Sequence, residues 1–260
     1  MPEGTVGIRA ADGNLLDGLW RTPDAAGPFP CVVCVPGLTL DKSMFDEAAA
    51  ALEREGVASL RVDLRGHGAS GGRLQDQGFD GQVADVRAAF DALAGLSGAD
   101  PTRRGILGFS LGGAMGVLVA AGARARALAL WSPLLKTGFW NGERRFEYGP
   151  PQGGFQPIWD GILVNERLFS EALAHDPFAM ASAWTGPLML CHGAKDRNHP
   201  QGACLELVSA RAAAALPVAS YFPPLSGHRW HPAHERRMRD ALTAAFFSAA
   251  LGRHHEAPAF

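Results

Sequence analysis

The pentapeptide Gly108-Phe109-Ser110-Leu111-Gly112 joins a short apolar run, residues 104–108, to a longer apolar segment, residues 111–123. The run predicts a buried strand and the segment predicts a helix, so Ser110 lies at a sharp turn from strand to helix. Such a strained turn holds a side chain clear of the sheet, and only small residues fit two positions before and after it. Gly108 and Gly112 supply that room. We therefore predict that Ser110 is a nucleophile rather than an ordinary serine of a glycine-rich loop.

Strand-like and helix-like segments alternate along most of the chain. In six short apolar runs, polar and apolar residues do not alternate, which predicts strands buried on both faces. These runs are Cys31–Val35, Val57–Val62, Gly105–Gly108, Ala127–Trp131, Pro187–Cys191 and Val218–Phe222. Five longer segments predict helices: Ser43–Glu55, Gly81–Leu96, Leu111–Ala123, Gln201–Leu216 and Ala233–Leu251. This alternation predicts an α/β fold, with a mostly parallel, twisted sheet and helices on both faces. An N-terminal hairpin around Asp12-Gly13 brings the sheet to about eight strands.

Two loops downstream of Ser110 carry the partners that a serine nucleophile needs. A serine hydroxyl needs a base, and a histidine base needs an acid that holds its tautomer. Asp196 follows the strand predicted at residues 187–191, and His228 follows the strand predicted at residues 218–222. Chemistry in parallel sheets is found at the carboxyl ends of the strands. Ser110, Asp196 and His228 are therefore the predicted catalytic triad.

This chain order and the turn at Ser110 resemble the serine esterase and lipase-like branch of the α/β-hydrolase superfamily. The segment Asp63-Leu-Arg-Gly-His-Gly-Ala-Ser70 resembles the D-x-R-G-H-G-x-S loop of that superfamily, and Pro36 to Lys42 is similar to the corresponding segment of cinnamoyl and feruloyl esterases. The resemblance covers nearly the whole chain and implies the α/β-hydrolase fold. It also implies an oxyanion hole formed by the backbone N–H groups of Leu38 and Leu111.

Two positions depart from the pattern of that superfamily. Pro36 stands where these enzymes usually carry a histidine before the glycine of the oxyanion loop. His199 precedes Pro200 where an aliphatic residue is common. We interpret His192 and His199 as supporting or surface groups of the acid loop, and His67 as a residue that holds its loop through hydrogen bonds.

One interval interrupts the alternation of strands and helices. About fifty residues separate the run that ends at Trp131 from the run that begins at Pro187, which exceeds a normal connection. The middle of this interval carries six aromatic residues among glycine and proline: Phe139, Trp140, Phe146, Tyr148, Phe155 and Trp159. We predict an inserted cap at residues 134–175 after the sixth strand, with core at 1–133 and 176–252 and a loose tail at 253–260. The aromatic residues would serve either packing or substrate contact.

Composition excludes several classes of protein. The chain has 260 residues, 47% of them hydrophobic, which suits one core with an insertion. Its net charge of -2 lacks the basic surplus that nucleic-acid binding needs. No run reaches the roughly 18 apolar residues of a membrane span, and the N-terminal ten residues lack the apolar core of a signal peptide. We expect a cytoplasmic protein and leave a homodimer open.

Cysteine and histidine spacings do not favour a metal or redox site. Cys31 and Cys34 are three residues apart on a predicted strand, so their side chains face opposite sides of the sheet. His228, His231 and His234 are spaced by three, but Pro232 interrupts a continuous helix and no H-E-x-x-H motif is present. The sequence therefore predicts no metal and no cofactor.

The predicted function is hydrolysis of carboxylic esters with small to medium apolar or aromatic groups, through an acyl-enzyme. A thioesterase, acyltransferase, peptidase or C–C bond hydrolase would use the same triad, because the cap and not the motif selects the leaving group. A catalytically silent ligand-binding protein of the same fold is the alternative from another class. The predicted ligand is a small-molecule ester.

Overall fold

The structure, a computed structural model, describes residues 3–138 and 147–252. Ten strands are present in these residues: β1 Glu3–Arg9, β2 Leu15–Arg21, β3 Phe29–Val35, β4 Ala58–Val62, β5 Ala99–Phe109, β6 Ala127–Trp131, β7 Phe155–Pro157, β8 Leu163–Asn165, β9 Leu188–Cys191 and β10 Val218–Tyr221. The α-helices are α1 Asp46–Arg54, α2 Phe79–Ala92, α3 Leu111–Ala123, α4 Arg167–Ala172, α5 Pro177–Ala183, α6 Gly202–Ala213 and α7 Ala233–Gly252. In this part of the chain, no helix has both the length and the apolar character that a membrane crossing requires.

Eight of the strands form one sheet in the order β1-β2-β4-β3-β5-β6-β9-β10. β1 pairs with β2, and β2 with β4, in antiparallel fashion, whereas all other neighbours in this sheet are parallel. The predicted mostly parallel sheet with an N-terminal hairpin is confirmed. Because β3, β5, β9 and β10 run in the same direction, the loops that follow them lie at one edge of the sheet. Those loops carry all of the predicted site residues.

Helices cover both faces of the sheet, as predicted. On β3, Val33 and Val35 belong to a core with α2 and α3, whereas Val32 and Cys34 belong to a second core with α1 and α7. Every residue of β3, β4 and β6 is buried. This explains the continuous apolar runs, since a central strand with both faces covered has no polar side. Cys31 lies in the first core, on the face opposite to Cys34, and burial raises the pKa of both thiols to about 12.

Some element boundaries differ from the predicted ones. β5 begins at Ala99, six residues before the predicted start, because Ala99 pairs with Phe29 of β3 ahead of a shift in register. The predicted first helix begins at Lys42 as a 3₁₀ turn, Lys42–Phe45, and becomes α-helical only from Asp46. Similarly, α2 ends at Ala92 and a 3₁₀ turn, Leu93–Gly95, completes the predicted segment. Helix ends tighten in this way because the first N–H groups and the last carbonyl groups of a helix lack α-helical partners.

The interval between β6 and β9 contains a small antiparallel pair, β7 with β8, and the helices α4 and α5. Contacts with the start of α2 hold it in place: Glu171 accepts a hydrogen bond from the backbone N–H of Asp80 at 3.0 Å, and His175 Nε2 lies 2.7 Å from Asp80 Oδ1. The cap after the sixth strand is thus present, and its limits at 134 and 175 stay a prediction. Three predicted cap aromatics, Phe139, Trp140 and Phe146, lie outside the described residues, as does the predicted tail at 253–260.

Buried ion pairs connect the loop after β4 to Lys42 and to Asp85 of α2. Asp63 accepts hydrogen bonds from the Lys42 backbone N–H at 2.7 Å, from Lys42 Nζ at 2.5 Å and from the Ala69 N–H at 2.9 Å. The Arg65 side chain donates two hydrogen bonds, of 2.8 and 2.6 Å, to the carboxylate of Asp85. The backbone N–H of Arg65 donates a third. The Asp85 side chain is fully buried. This loop is the segment that resembles D-x-R-G-H-G-x-S.

Replacement of Asp85 by alanine is expected to destabilise the protein by about 3 kcal/mol, because it leaves a largely buried guanidinium without its main partner. The matched control is Asp91→Ala on the same helix, where the Arg87–Asp91 pair is half exposed. An exposed pair of this kind contributes less than about 0.5 kcal/mol. Urea unfolding of both variants measures the difference, and equal losses of stability would contradict the assignment.

Candidate active site

Ser110 lies between β5 and α3 with a backbone conformation that L-residues rarely adopt, φ 55° and ψ −120°. Backbone hydrogen bonds maintain this conformation: the Ser110 N–H donates to the Trp131 carbonyl at 2.9 Å, and the Ser110 carbonyl accepts from the Leu134 N–H at 3.1 Å. The end of β6 and the residues just after it therefore hold the turn at Ser110 in place. A strained conformation persists only where surrounding contacts over-determine it, and such sites are characteristic of function.

Close packing explains the glycines on both sides of Ser110. A Cβ on Gly108 would lie 2.6 Å from the Gly112 carbonyl oxygen and 2.7 Å from Gly113 Cα. A Cβ on Gly112 would lie 2.5 Å from the carbonyl oxygen of Val35 and would clash with that of Pro36. All of these neighbours are backbone atoms, which have little freedom to move. The sequence requirement for small residues thus follows from the close approach of α3 to β5 and to the end of β3.

His228 is placed between Ser110 and Asp196. Its Nε2 lies 3.0 Å from Ser110 Oγ, and its Nδ1 lies 2.8 Å from Asp196 Oδ2. The ring packs against Phe109, with 5.0 Å between ring centroids. The loop before His228 is held by a buried contact in which Ser226 Oγ donates to Glu235 Oε2 of α7 at 2.5 Å. The three residues predicted from chain order are therefore in direct contact, although up to 118 positions separate them.

The Asp196 carboxylate is buried and accepts several hydrogen bonds. Oδ1 accepts from the backbone N–H groups of Asn198 at 2.8 Å and His199 at 3.0 Å. Oδ2 faces His228, and His192 Nε2 is 3.3 Å away. Burial alone would raise the pKa of Asp196, but the hydrogen bonds from His192 and His228 outweigh it and hold the pKa well below its usual range. Asp196 is thus an ionised acceptor beside His228.

The loop after β3 approaches Ser110 from the opposite side. A Cβ on Gly37 would lie 3.0 Å from Ser110 Cβ, so the backbone at this point nearly touches the serine. Within residues 3–138 and 147–252, no acceptor receives the N–H of Leu38 or of Leu111. Both residues line the same cavity as Ser110. Two backbone donors without internal acceptors beside a hydroxyl are suited to bind an anionic oxygen.

His67 restrains the loop that contains Leu38. Its Nε2 accepts a hydrogen bond from the Thr39 N–H at 3.0 Å, so its Nδ1 carries the proton and donates to the Arg65 carbonyl at 3.0 Å. Burial lowers the pKa of His67, which favours this neutral form. Thr39 has φ 65°, and its Oγ1 accepts from Trp159 Nε1 at 3.3 Å. The loop that contains Leu38 is thus restrained by both His67 and the cap.

His199 lies closer to Ser110 than its position in the sequence indicates. Its Nε2 is 3.2 Å from Ser110 Oγ, and its ring meets that of His228 edge-on, with centroids 4.9 Å apart. The interpretation of His199 as a supporting or surface group is wrong in this respect. The only sequence signal was its place before Pro200, where an aliphatic residue is common in the resembling enzymes. His192, in contrast, is a buried supporting group that also contacts Cys204 Sγ through Nδ1 at 3.2 Å.

A cavity of about 290 Å³ opens at Ser110 Oγ. Apolar side chains from the core and the cap form most of its wall, and polar groups come from Ser110, the cap and the loops of Asp196 and His228. Its lining residues are Leu38, Leu40, Phe109, Ser110, Leu111, Leu134, Glu147, Tyr148, Ile158, Trp159, Asp160, Phe169, Asn198, His199, His228 and Arg229. Of the six aromatic residues singled out in the sequence, the described Tyr148 and Trp159 line the cavity, which favours substrate contact for these two.

Comparison with known proteins agrees with this architecture. Residues 26–148, a little under half of the chain, match the family model of the serine aminopeptidases S33. Est1E from Butyrivibrio proteoclasticus, solved with bound ferulic acid, superposes with a TM-score of 0.83 at 20% identity, over 95% of this chain and 100% of that one. The Pyrococcus furiosus esterase Pf2001 gives a TM-score of 0.73 at 18% identity, over 96% and 91%. The chain has the α/β-hydrolase fold, as the resemblance implied.

The sequence matches to two curated relatives cover part of the chain. Uncharacterized proteins from two strains of Mycobacterium tuberculosis, H37Rv and CDC 1551 / Oshkosh, are each 38% identical over 128 residues. This stretch is 49% of the present chain and 44% of each relative, so the match spans less than half the length of those proteins. Within the α/β-hydrolase fold, the activity of this chain therefore has to be argued from its own site.

The depressed pKa of Asp196 predicts a pH-dependent stability difference between wild type and Asp196→Asn. A carboxylate whose pKa is lower in the folded state stabilises that state above its unfolded pKa, about 3.9, and loses the effect as pH falls. We expect Asp196→Asn to be less stable by about 1–3 kcal/mol at pH 7 and pH 5, because hydrogen bonds to a charged group are lost. The difference should shrink at pH 3.5.

Urea unfolding at the three pH values provides the measurement. Asp24→Asn, at an exposed carboxylate, is the control and is expected to change the free energy of unfolding by less than about 0.5 kcal/mol throughout. A difference between Asp196→Asn and wild type that grows toward acid pH would contradict the ionised state of Asp196.

Proposed function

We propose that this protein is a serine hydrolase that cleaves carboxylic esters of small to medium apolar or aromatic groups through an acyl-enzyme. The observation that carries the proposal is the continuous hydrogen-bonded series from Ser110 Oγ through His228 to the Asp196 carboxylate, with contacts of 3.0 and 2.8 Å. A hydroxyl, an imidazole and an ionised carboxylate in this order are the parts that nucleophilic catalysis by serine needs. Their position at the base of an apolar cavity adds a place for the acyl group.

The proposed reaction has two halves. Ser110 Oγ attacks the ester carbonyl carbon while its proton passes to His228 Nε2, and the resulting oxyanion is held by the N–H groups of Leu38 and Leu111. The alcohol leaves with the proton from His228, and the acyl group stays on Oγ. Water then attacks the same carbon, with His228 as the base, and Ser110 is released with the acid product. Each oxyanion donor would contribute on the order of 3 kcal/mol to the transition state.

The cavity supports the choice of substrate class. Leu134, Ile158 and Phe169 form an apolar wall, and Tyr148 and Trp159 add aromatic surface from the cap. A cavity of about 290 Å³ is at the lower end of the usual range for small-molecule sites, about 300–1,000 Å³. Esters of short, medium or aromatic acyl groups suit such a space better than long acyl chains. The ferulic acid bound to Est1E is an aromatic acid of this kind, which supports the same substrate class here.

An aminopeptidase is the second candidate function. The match of residues 26–148 to the serine aminopeptidase S33 family favours it, and two carboxylates, Glu147 and Asp160, line the cavity on the cap side. A carboxylate there would pair with the α-ammonium group of a peptide substrate. Amino-acid p-nitroanilides distinguish the two functions. Turnover of these amides at a rate comparable to p-nitrophenyl esters would favour the peptidase.

Substitution of the nucleophile provides the first test of the proposed function. Ser110→Ala is expected to lower kcat for p-nitrophenyl esters by about 10⁴-fold or more, because no other described group replaces the attacking oxygen. Ser209→Ala, at an exposed serine of α6, is the matched control and should retain full activity. The assay uses an acyl series from acetate to long chains together with an aromatic ester. A fluorophosphonate should label wild type and not Ser110→Ala.

Retention of activity by Ser110→Ala would exclude this mechanism. Absence of both turnover and labelling in the wild type would instead favour the silent ligand-binding protein. Labelling without turnover of any ester would indicate an assembled triad with another substrate, such as a thioester or an amide.

The restraint of the oxyanion loop by His67 predicts an effect on kcat. His67→Ala removes the acceptor for the Thr39 N–H, so the neighbouring Leu38 N–H is no longer held in position. We expect kcat to fall by about tenfold to a hundredfold, with little change in KM, because the oxyanion exists only in the transition state. His234→Ala, at an exposed histidine of α7, is the control. A rise in KM with unchanged kcat would contradict this role.

A further inference from the structure

Two imidazole nitrogens lie within hydrogen-bond distance of Ser110 Oγ. His228 Nε2 is 3.0 Å away and His199 Nε2 is 3.2 Å away, and the two rings meet edge-on at an interplanar angle of 79°. The catalytic cycle described above uses only His228. His199 is half-buried and lines the cavity, so its side chain belongs to the site rather than to the surface.

The single proton of the Ser110 hydroxyl determines the direction of the hydrogen bond between His199 and Ser110. A serine hydroxyl has one proton and can donate it to only one of the two nitrogens. His228 donates its Nδ1 proton to the Asp196 carboxylate, so the neutral ring accepts at Nε2 and receives the serine proton. The second nitrogen can make a favourable contact with Oγ only as a donor. His199 therefore carries its proton on Nε2 and donates it to a lone pair of Ser110 Oγ.

The backbone around His199 holds this side chain in place. The His199 N–H donates to Asp196 Oδ1 at 3.0 Å, and the His199 carbonyl accepts from His192 Nε2 at 2.8 Å. The carboxylate that orients His228 thus also orients the backbone of His199. Both of these bonds use backbone atoms of residue 199 and persist when its side chain is changed. Substitution of the side chain alone therefore tests its contact with Oγ.

We propose that His199 is a second catalytic histidine whose N–H donates to Ser110 Oγ and promotes deacylation. This inference rests on the proposed function, because it concerns the acyl-enzyme. In the acyl-enzyme, Oγ is the ester oxygen, and a donor there withdraws electron density and makes the carbonyl carbon more electrophilic. When the C–Oγ bond breaks, the same donor stabilises the charge that develops on Oγ. In acylation Oγ is the attacking atom, and a donor gives it no such advantage.

The bonds and protons of the deacylation step are all accounted for when His199 has this role. The water oxygen forms a bond to the acyl carbon, and one water proton passes to His228 Nε2. The C–Oγ bond then breaks, its electron pair goes to Oγ, and His228 returns the proton to Oγ. The carboxylic acid leaves. His199 keeps its proton throughout and acts only as a hydrogen-bond donor, so no further reactant is needed.

The test compares His199→Leu with His199→Gln. Leucine removes the donor, whereas glutamine retains an N–H near the position of Nε2. Stopped-flow hydrolysis of p-nitrophenyl butyrate gives the acylation rate from the first release of p-nitrophenol and the deacylation rate from the steady state. The mass of the quenched protein measures how much acyl-enzyme accumulates. The rate of labelling by a fluorophosphonate reports the attack by Oγ alone.

We expect His199→Leu to lower the deacylation rate by about tenfold or more, since a hydrogen bond to a developing charge is lost. Its acylation and labelling rates should stay within about threefold of wild type, so a burst and the acyl-enzyme mass appear. His199→Gln should recover most of the deacylation rate. Equal slowing of both steps would mean that His199 merely orients Ser110, and this would overturn the proposal. So would unchanged deacylation in His199→Leu, or no recovery in His199→Gln.

The wild type separates failure of this inference from failure of the proposed function. Wild-type turnover and labelling that both require Ser110, together with His199 variants that behave like wild type, would remove only the role of His199. If the wild type neither hydrolyses esters nor is labelled, that result would exclude both the acyl-enzyme and the role of His199.

Discussion

The arrangement of the site depends on the strained backbone at Ser110. A φ of 55° turns the chain sharply out of β5 and into α3, so that the side chain stands at the edge of the sheet. The conformation is unfavourable by itself, and hydrogen bonds with Trp131 and Leu134 keep it in place. The glycines at positions 108 and 112 permit the close approach of α3 to β5 and β3. The position of the serine therefore follows from the packing of the central strands.

A second organising element is the buried carboxylate of Asp196. It receives hydrogen bonds from His228, from the buried His192 and from two backbone N–H groups of its own loop. One negative charge thus determines both the tautomer of His228 and the course of the chain as far as His199. Because the carboxylate is buried, these hydrogen bonds are stronger than they would be in water. His228 and His199 are consequently positioned by the same carboxylate.

The cap and the oxyanion loop are linked in a similar way. Trp159 of the cap donates to the Thr39 side chain, while His67 accepts from the Thr39 backbone. The segment beside Leu38 is therefore restrained from two directions, by the core and by the cap. A shift of the cap at Trp159 would therefore reach the segment beside Leu38 through Thr39. Under the proposed function, the cap residues that would contact substrate and the loop that would hold the oxyanion belong to one hydrogen-bonded set of residues.

Much of this architecture could be predicted because it is encoded locally. Strands buried on both faces require continuous apolar runs, and β3, β4, β6 and β9 lie where such runs were found. The less regular boundaries were missed for physical reasons. The first half of β5 is polar and includes the exposed Pro101 and Thr102, and the helix ends tighten into 3₁₀ turns that apolar periodicity does not distinguish.

The sequence by itself determined the order of strands and helices and the turn at Ser110, because both depend on short-range sterics and on apolar patterning. It also provided the identity and chain order of Asp196 and His228, since each follows a recognisable strand. Only the tertiary structure decided that His199 reaches Ser110, that His67 restrains the loop containing Leu38 and which cap residues line the cavity. Side-chain direction in an irregular loop depends on distant partners: the acid loop is held by backbone bonds from His192 to Tyr221 and from Lys195 to Ser226. No local pattern carries that information.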